Sequence, residues 1–106
     1  MTERAGAASR HALLGDEYDQ ALIQRTWDLL LAMDARRGAG VSFVAGSQDV
    51  SIQEWVLEGQ TLRFEIETYM GFSVEGPEAL VKALVARLAT DGFQPGEVLP
   101  SSGGVD

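Results

Sequence analysis

Few residues of this chain have the type and spacing that chemistry requires. Ser73 stands in Gly71-Phe72-Ser73-Val74-Glu75-Gly76. A nucleophile elbow reads G-x-S-x-G, and Glu75 occupies the place of its last glycine. The only histidine, His11, falls in an N-terminal segment with no clear period, so no base is positioned for the serine. With no cysteine and one histidine, a zinc site has no ligand set. Glu65 and Glu67 share one face of a strand and have the chemistry of hard-cation ligands, but two alternating glutamates first describe a solvated face. Glu54 has no partner with which to divide acid and base roles. Gly38-Ala39-Gly40 lacks the third glycine of a dinucleotide loop, whose place is taken by Phe43, and a strand follows where a helix is required. The sequence therefore predicts no catalytic residue, no cofactor and no metal.

The aromatic residues carry more information. Between Thr61 and Thr68 the even positions Leu62, Phe64 and Ile66 are apolar and the odd positions Arg63, Glu65 and Glu67 are charged, which predicts a strand with one dry face. A three-residue turn, Glu58-Gly59-Gln60, sets Val56 opposite Leu62 and Ile52 opposite Ile66. It leaves Glu54 on the apolar face and places Trp55 opposite Arg63 on the wet one. A two-residue turn sets Phe64 against Gln53 and mixes the faces, so the first register is expected. Trp55, Leu57 and Tyr69 then lie outside with Arg63, Glu65 and Glu67. Exposed aromatics beside an arginine are the types that dominate interfaces. These six residues are the expected partner-binding surface, for a protein or peptide of basic character or for a second copy of the chain. The simpler alternative is a surface pair of Trp55 on Arg63.

The elements that must hold this surface follow from periodicity. Residues 1–15 read as a flexible arm. Asp16 is a good N-cap for a helix running to about residue 36, with Ile23, Trp27, Leu30 and Leu31 on one stripe. Arg36 and Arg37 suit its C-terminal dipole, and Gly38 its stop. Strands follow over Val41–Ala45, Val50–Leu57 and Thr61–Thr68. Met70 to Val74 is expected to continue the last of these as one long, bent strand, the alternative being a fourth short strand. Pro77 opens a second helix, with Leu80, Val81, Leu84, Val85 and Leu88 on its stripe. Gly92 is placed as its C′ residue, with Phe93 making the hydrophobic contact. The expected architecture is a two-layer α+β domain, α-β-β-β-(β)-α, over residues 16–95, with an antiparallel sheet and both helices on its dry face. Residues 96–106 are expected to be a disordered tail.

Composition sets the outer bounds. The 106 residues suffice for one domain, and 45% are hydrophobic, enough for one core. Sixteen acidic residues against eight basic ones give a formal charge of −8, which repels nucleic acid and anionic membrane. The absence of cysteine and of a signal-like apolar run predicts a cytoplasmic protein.

Helix, three antiparallel strands, helix, with Leu62-Arg63-Phe64-Glu65-Ile66-Glu67, the Pro77-to-Leu88 helix and Asp91-Gly92-Phe93-Gln94-Pro95, resembles small bacterial proteins of the YbjN and type III secretion chaperone-like group. The resemblance covers roughly residues 16–95. It implies non-catalytic binding of peptide or protein partners. The acidic charge and the tryptophan in the sheet are also similar to small immunity proteins of actinobacterial toxin systems, which implies neutralisation of a cognate toxin. A third expectation is a small-ligand-binding accessory domain, with the ligand between helices and sheet.

Overall fold

The computed structural model describes residues 9–93 and 98–99. It is a mixed α+β fold: β1 (Ser9–Gly15), α1 (Gln20–Ala32), β2 (Arg36–Ala45), β3 (Gln48–Leu57), β4 (Gln60–Glu67), β5 (Gly71–Pro77), α2 (Glu78–Thr90) and the two-residue β6 (Val98–Leu99). The strands form one antiparallel sheet in the order β2-β3-β4-β5-β1-β6.

Both helices end as backbone chemistry requires. Asp19, three residues later than expected, caps α1 by accepting a hydrogen bond from the Leu22 amide at 3.0 Å. Asp16 instead accepts from the Tyr18 amide and shapes the preceding turn. At the other end Asp34 takes a φ of 66°, and the Ala35 and Asp34 amides donate to the carbonyls of Leu30 and Leu31. This pair of bonds closes the helix in a Schellman motif. Arg36 and Arg37 therefore leave the helix and open β2, which starts five residues before the expected strand. Helix α2 ends in the same way, with Gly92 at φ 92° and the Phe93 amide on the Leu88 carbonyl, as its sequence predicts.

The β3–β4 register is the one the hydrophobic pattern argued against. Leu57 pairs with Gln60, Trp55 with Leu62, and Gln53 with Phe64. The turn holds two residues, Glu58 at φ 55° and Gly59 at φ 75°. Two successive positive φ values are the type I′ pattern, whose twist matches that of the flanking strands. The shift of one residue turns β3 over. Trp55 (1% exposed) and Leu57 become core, while Ile52 and Val56 turn to the other face and are half-buried. The expectation for β4 holds, with Leu62 and Phe64 fully buried.

Three further expectations are corrected. Residues 9–15 are no arm. They form β1, an internal strand between β5 and β6 that buries Ala12 and Leu14. Short alternation beside Ser9, Arg10 and His11 hid a strand whose partner is far along the chain. The tail is not wholly irregular either, since Val98 and Leu99 pair with Ala12 and His11; residues 1–8, 94–97 and 100–106 lie outside the described residues. Tyr69 at φ 71° and Gly71 at φ 91° make a true turn, so β5 is a separate strand rather than a bent continuation of β4.

One core joins Ala12, Leu14, Trp55, Leu62, Phe64, Phe72 and Val74 of the sheet to Leu22, Leu29 and Leu30 of α1 and Val81, Leu84 and Leu88 of α2. The sheet face carrying Trp55 and Phe64 is called inner below. Trp27 joins the layers: its ring stacks on Trp55 at 5.6 Å and meets Phe64 and Phe72 edge-on at 5.1 and 5.7 Å. No helix among the described residues is long and apolar enough to cross a membrane.

Candidate functional site: an open sheet edge and its cleft

Strand β2 is the edge of the sheet, and all ten of its residues are exposed. Gly38 to Ala45 carries no charge, yet Val41 is 54%, Phe43 47% and Val44 67% exposed. Pairing in one register sets the faces: Arg37 lies opposite Trp55, Gly40 opposite Gln53, and Ser42 opposite Ser51, all inner; Val41 and Phe43 lie opposite Ile52 and Val50 on the outer face. A long, uncharged strand with no strand on its other side among the described residues is a template for another strand.

A bulge between Arg37 and Gly40 shapes this edge. It brings Arg37 and Gly40 to the same face although three positions separate them, which is how a bulge re-aims a side chain. Gln53 holds it. Its amide nitrogen donates to the carbonyls of Gly38, Ala39 and Glu54 at 3.1, 3.2 and 2.9 Å, and its amide oxygen accepts from Arg37 Nε at 3.3 Å. This satisfies the polar residue that the two-residue register places opposite Phe64. A Cβ at position 40 would fall 2.7 Å from the Gln53 amide oxygen, so a larger residue there would displace the end of the side chain that holds the bulge.

Arg37 is thereby laid over both tryptophans, its guanidinium carbon 5.5 Å from the Trp55 ring centre and 5.8 Å from that of Trp27. Beside it opens a cleft of about 420 Å³, lined by Trp27, Arg37, Ser42, Ser51, Gln53 and Ile66 together with Gly40, Val41 and Ile52. Ser42 and Ser51 share a hydrogen bond of 2.9 Å between their hydroxyls. No acidic residue lines this cleft among the described residues.

The expected surface is dispersed by the same register. Trp55 and Leu57 are inside, so their part in an outer interface is withdrawn. The arginine that meets Trp55 is Arg37, not Arg63. Arg63 stays on the outer face, between Glu54 and Glu75 in the strand pairing, and forms an ion pair with Glu65 at 3.3 Å. Glu65 and Glu67 are half-buried on that face, opposite Ile52 and Val50. Tyr69 is 78% exposed but sits beyond the far end of β4, where its amide donates to Glu17. Sequence reasoning missed Arg37, placed in a helix, and Ser42, Ser51 and Gln53, each unremarkable alone. One signal was present: from Ala35 to Gln48 there is no acidic residue in a chain that holds sixteen.

His11 is also relocated. On β1 it lies opposite Glu75 and diagonal to Ser73, which pairs with Leu13. None of the hydrogen bonds among the described residues joins the imidazole to the serine hydroxyl. No group of three or more potential metal ligands gathers among the described residues.

No protein-family model matches this chain. No curated protein and no solved structure matches it either.

Proposed function

We propose that this chain is a non-catalytic protein- or peptide-binding domain that receives an extended segment of its partner along β2. Both helices lie over the inner face, α2 above β1 and β5, which leaves the β2 edge open to an added strand. The single observation that carries the reading is the edge itself: ten exposed residues, the last eight uncharged, with Val41, Phe43 and Val44 in the open. Natural sheets blunt such edges with lysine, proline or a cover. The bulge between Arg37 and Gly40 interrupts this edge near one end only, and the remaining run Gly40–Ala45 pairs regularly with β3. Main-chain hydrogen bonds to the edge supply affinity in strand addition, and pockets beside alternate side chains supply selectivity. The cleft next to Arg37, Gly40 and Ser42 stands where inward side chains of an added strand would point.

The test uses a display library of random peptides of roughly eight residues, the length of one strand. The wild-type protein should retain extended, β-prone sequences, and Val41→Lys/Phe43→Lys should release them. Retention by the double variant would remove β2 from the binding site.

A second reading has its own observation. The outer face presents Glu54, Glu65, Glu67 and Glu75 around Arg63, a field suited to a basic partner such as a cognate toxin. Binding that survives Val41→Lys/Phe43→Lys but falls with Glu65→Lys would favour this immunity role.

A further inference from the structure

We infer that the segment added to β2 carries a carboxylate side chain, received in the cleft by Arg37; this rests on the strand-addition reading above. The chain as a whole is strongly acidic, yet the cleft on the inner side of the edge is lined by Arg37 and by no carboxylate among the described residues, with Glu54 of β3 set on the opposite face.

The geometry of Arg37 fits an anion. Its Nε is engaged by Gln53, and among the described residues its guanidinium meets no carboxylate. The two terminal nitrogens therefore keep the paired donors that grip a carboxylate end-on. Trp27 and Trp55 support the guanidinium from beneath, which limits the freedom it has left to lose. Ser42 and Ser51 complete the donor set. Two hydroxyls hold two protons, and the bond between them uses one, so the other is available to a carboxylate oxygen. Gly40 contributes no side chain, and a cleft of about 420 Å³ has room for an aspartate or glutamate.

The same features argue against a second copy as the occupant. Strand β2 has no acidic residue from Arg36 to Ala45, so a β2–β2 pairing brings no carboxylate to Arg37, and it draws together two chains of charge −8.

Peptides selected by display on the wild-type protein should share an aspartate or glutamate at one position. Changing that residue to its amide should weaken binding about tenfold or more by calorimetry, the loss expected for hydrogen bonds to a charged group. Arg37→Gln should bind the amide peptide as the wild type does and lose its preference for the acid. The peptide substitution needs no protein variant, so it stands even if Arg37→Gln is less stable. Selected peptides without a shared acidic residue, or an undiminished acid preference in Arg37→Gln, would overturn the inference while leaving strand addition in place. Peptides that Val41→Lys/Phe43→Lys fails to release would overturn both. A wild-type protein that sediments as a dimer, and as a monomer with that double substitution, would assign the edge to a second copy.

Discussion

Strand β2 carries Val41, Phe43 and Val44 in an uncharged run and is exposed at every position, whereas β1, with Ser9, Arg10 and His11, buries Ala12 and Leu14 almost completely. By composition the two should be reversed. The difference lies in their neighbours. β1 has β5 on one side and β6 on the other, and its inner residues meet α2. β2 has β3 on one side and nothing on the other among the described residues. An apolar side chain is buried only if something lies over it, and a strand cannot supply its own cover. In this protein, burial of a strand follows its neighbours rather than its composition.

The comparison can be broken at its buried end first. Trp55→Ala should destabilise the fold by about 3–5 kcal/mol, measured by urea unfolding, because the indole is packed against Trp27 on the inner face. A loss under about 1 kcal/mol would return Trp55 to the surface and restore the other register. Leu14→Ala should cost about 2–5 kcal/mol by the same measurement, placing β1 in the core.

The hairpin turn tests the register more finely. Gly59→Ala has open space around it, so its cost is that of a left-handed backbone alone, about 1 kcal/mol. Glu58→Asn should stabilise by some tenths of a kcal/mol, since asparagine accepts a positive φ more readily than glutamate. At the open end, Val41→Lys should change stability by less than about 0.5 kcal/mol while removing peptide retention. That contrast separates an edge kept for binding from one needed for folding.

The smallest effect concerns the joint between β1 and α2. Arg10 and then Lys82 hydrogen-bond the Glu78 carboxylate and hold its pKa below the usual value. A depressed carboxylate contributes stability above its unfolded pKa and loses it as pH falls through the folded one. Glu78→Gln should therefore lower the melting temperature slightly at neutral pH, and the gap to wild type should close on acidification through the carboxylate range.

The presence of both helices, the dry phase of β4, the Gly92 cap and the mixed α+β class were legible in the residues, while α1 proved shorter at both ends than its periodicity implied. These features rest on local periodicity and on backbone preferences of single residues, which act within a few positions. The sequence also placed two arginines beside an uncharged, acid-free strand, though not their use. Which face of β3 is buried was settled by strand pairing in the fold, because a one-residue slip in the turn inverts every side chain and Glu58 gave no strong warning of a positive φ. Only the tertiary structure drew residues 9–15 into the sheet, since their partners in β5 are about sixty residues away. The cleft is tertiary as well. Arg37 reaches the tryptophans because a bulge, held by Gln53, turns it inward, and no local pattern in the sequence encodes where an unpaired edge will remain open.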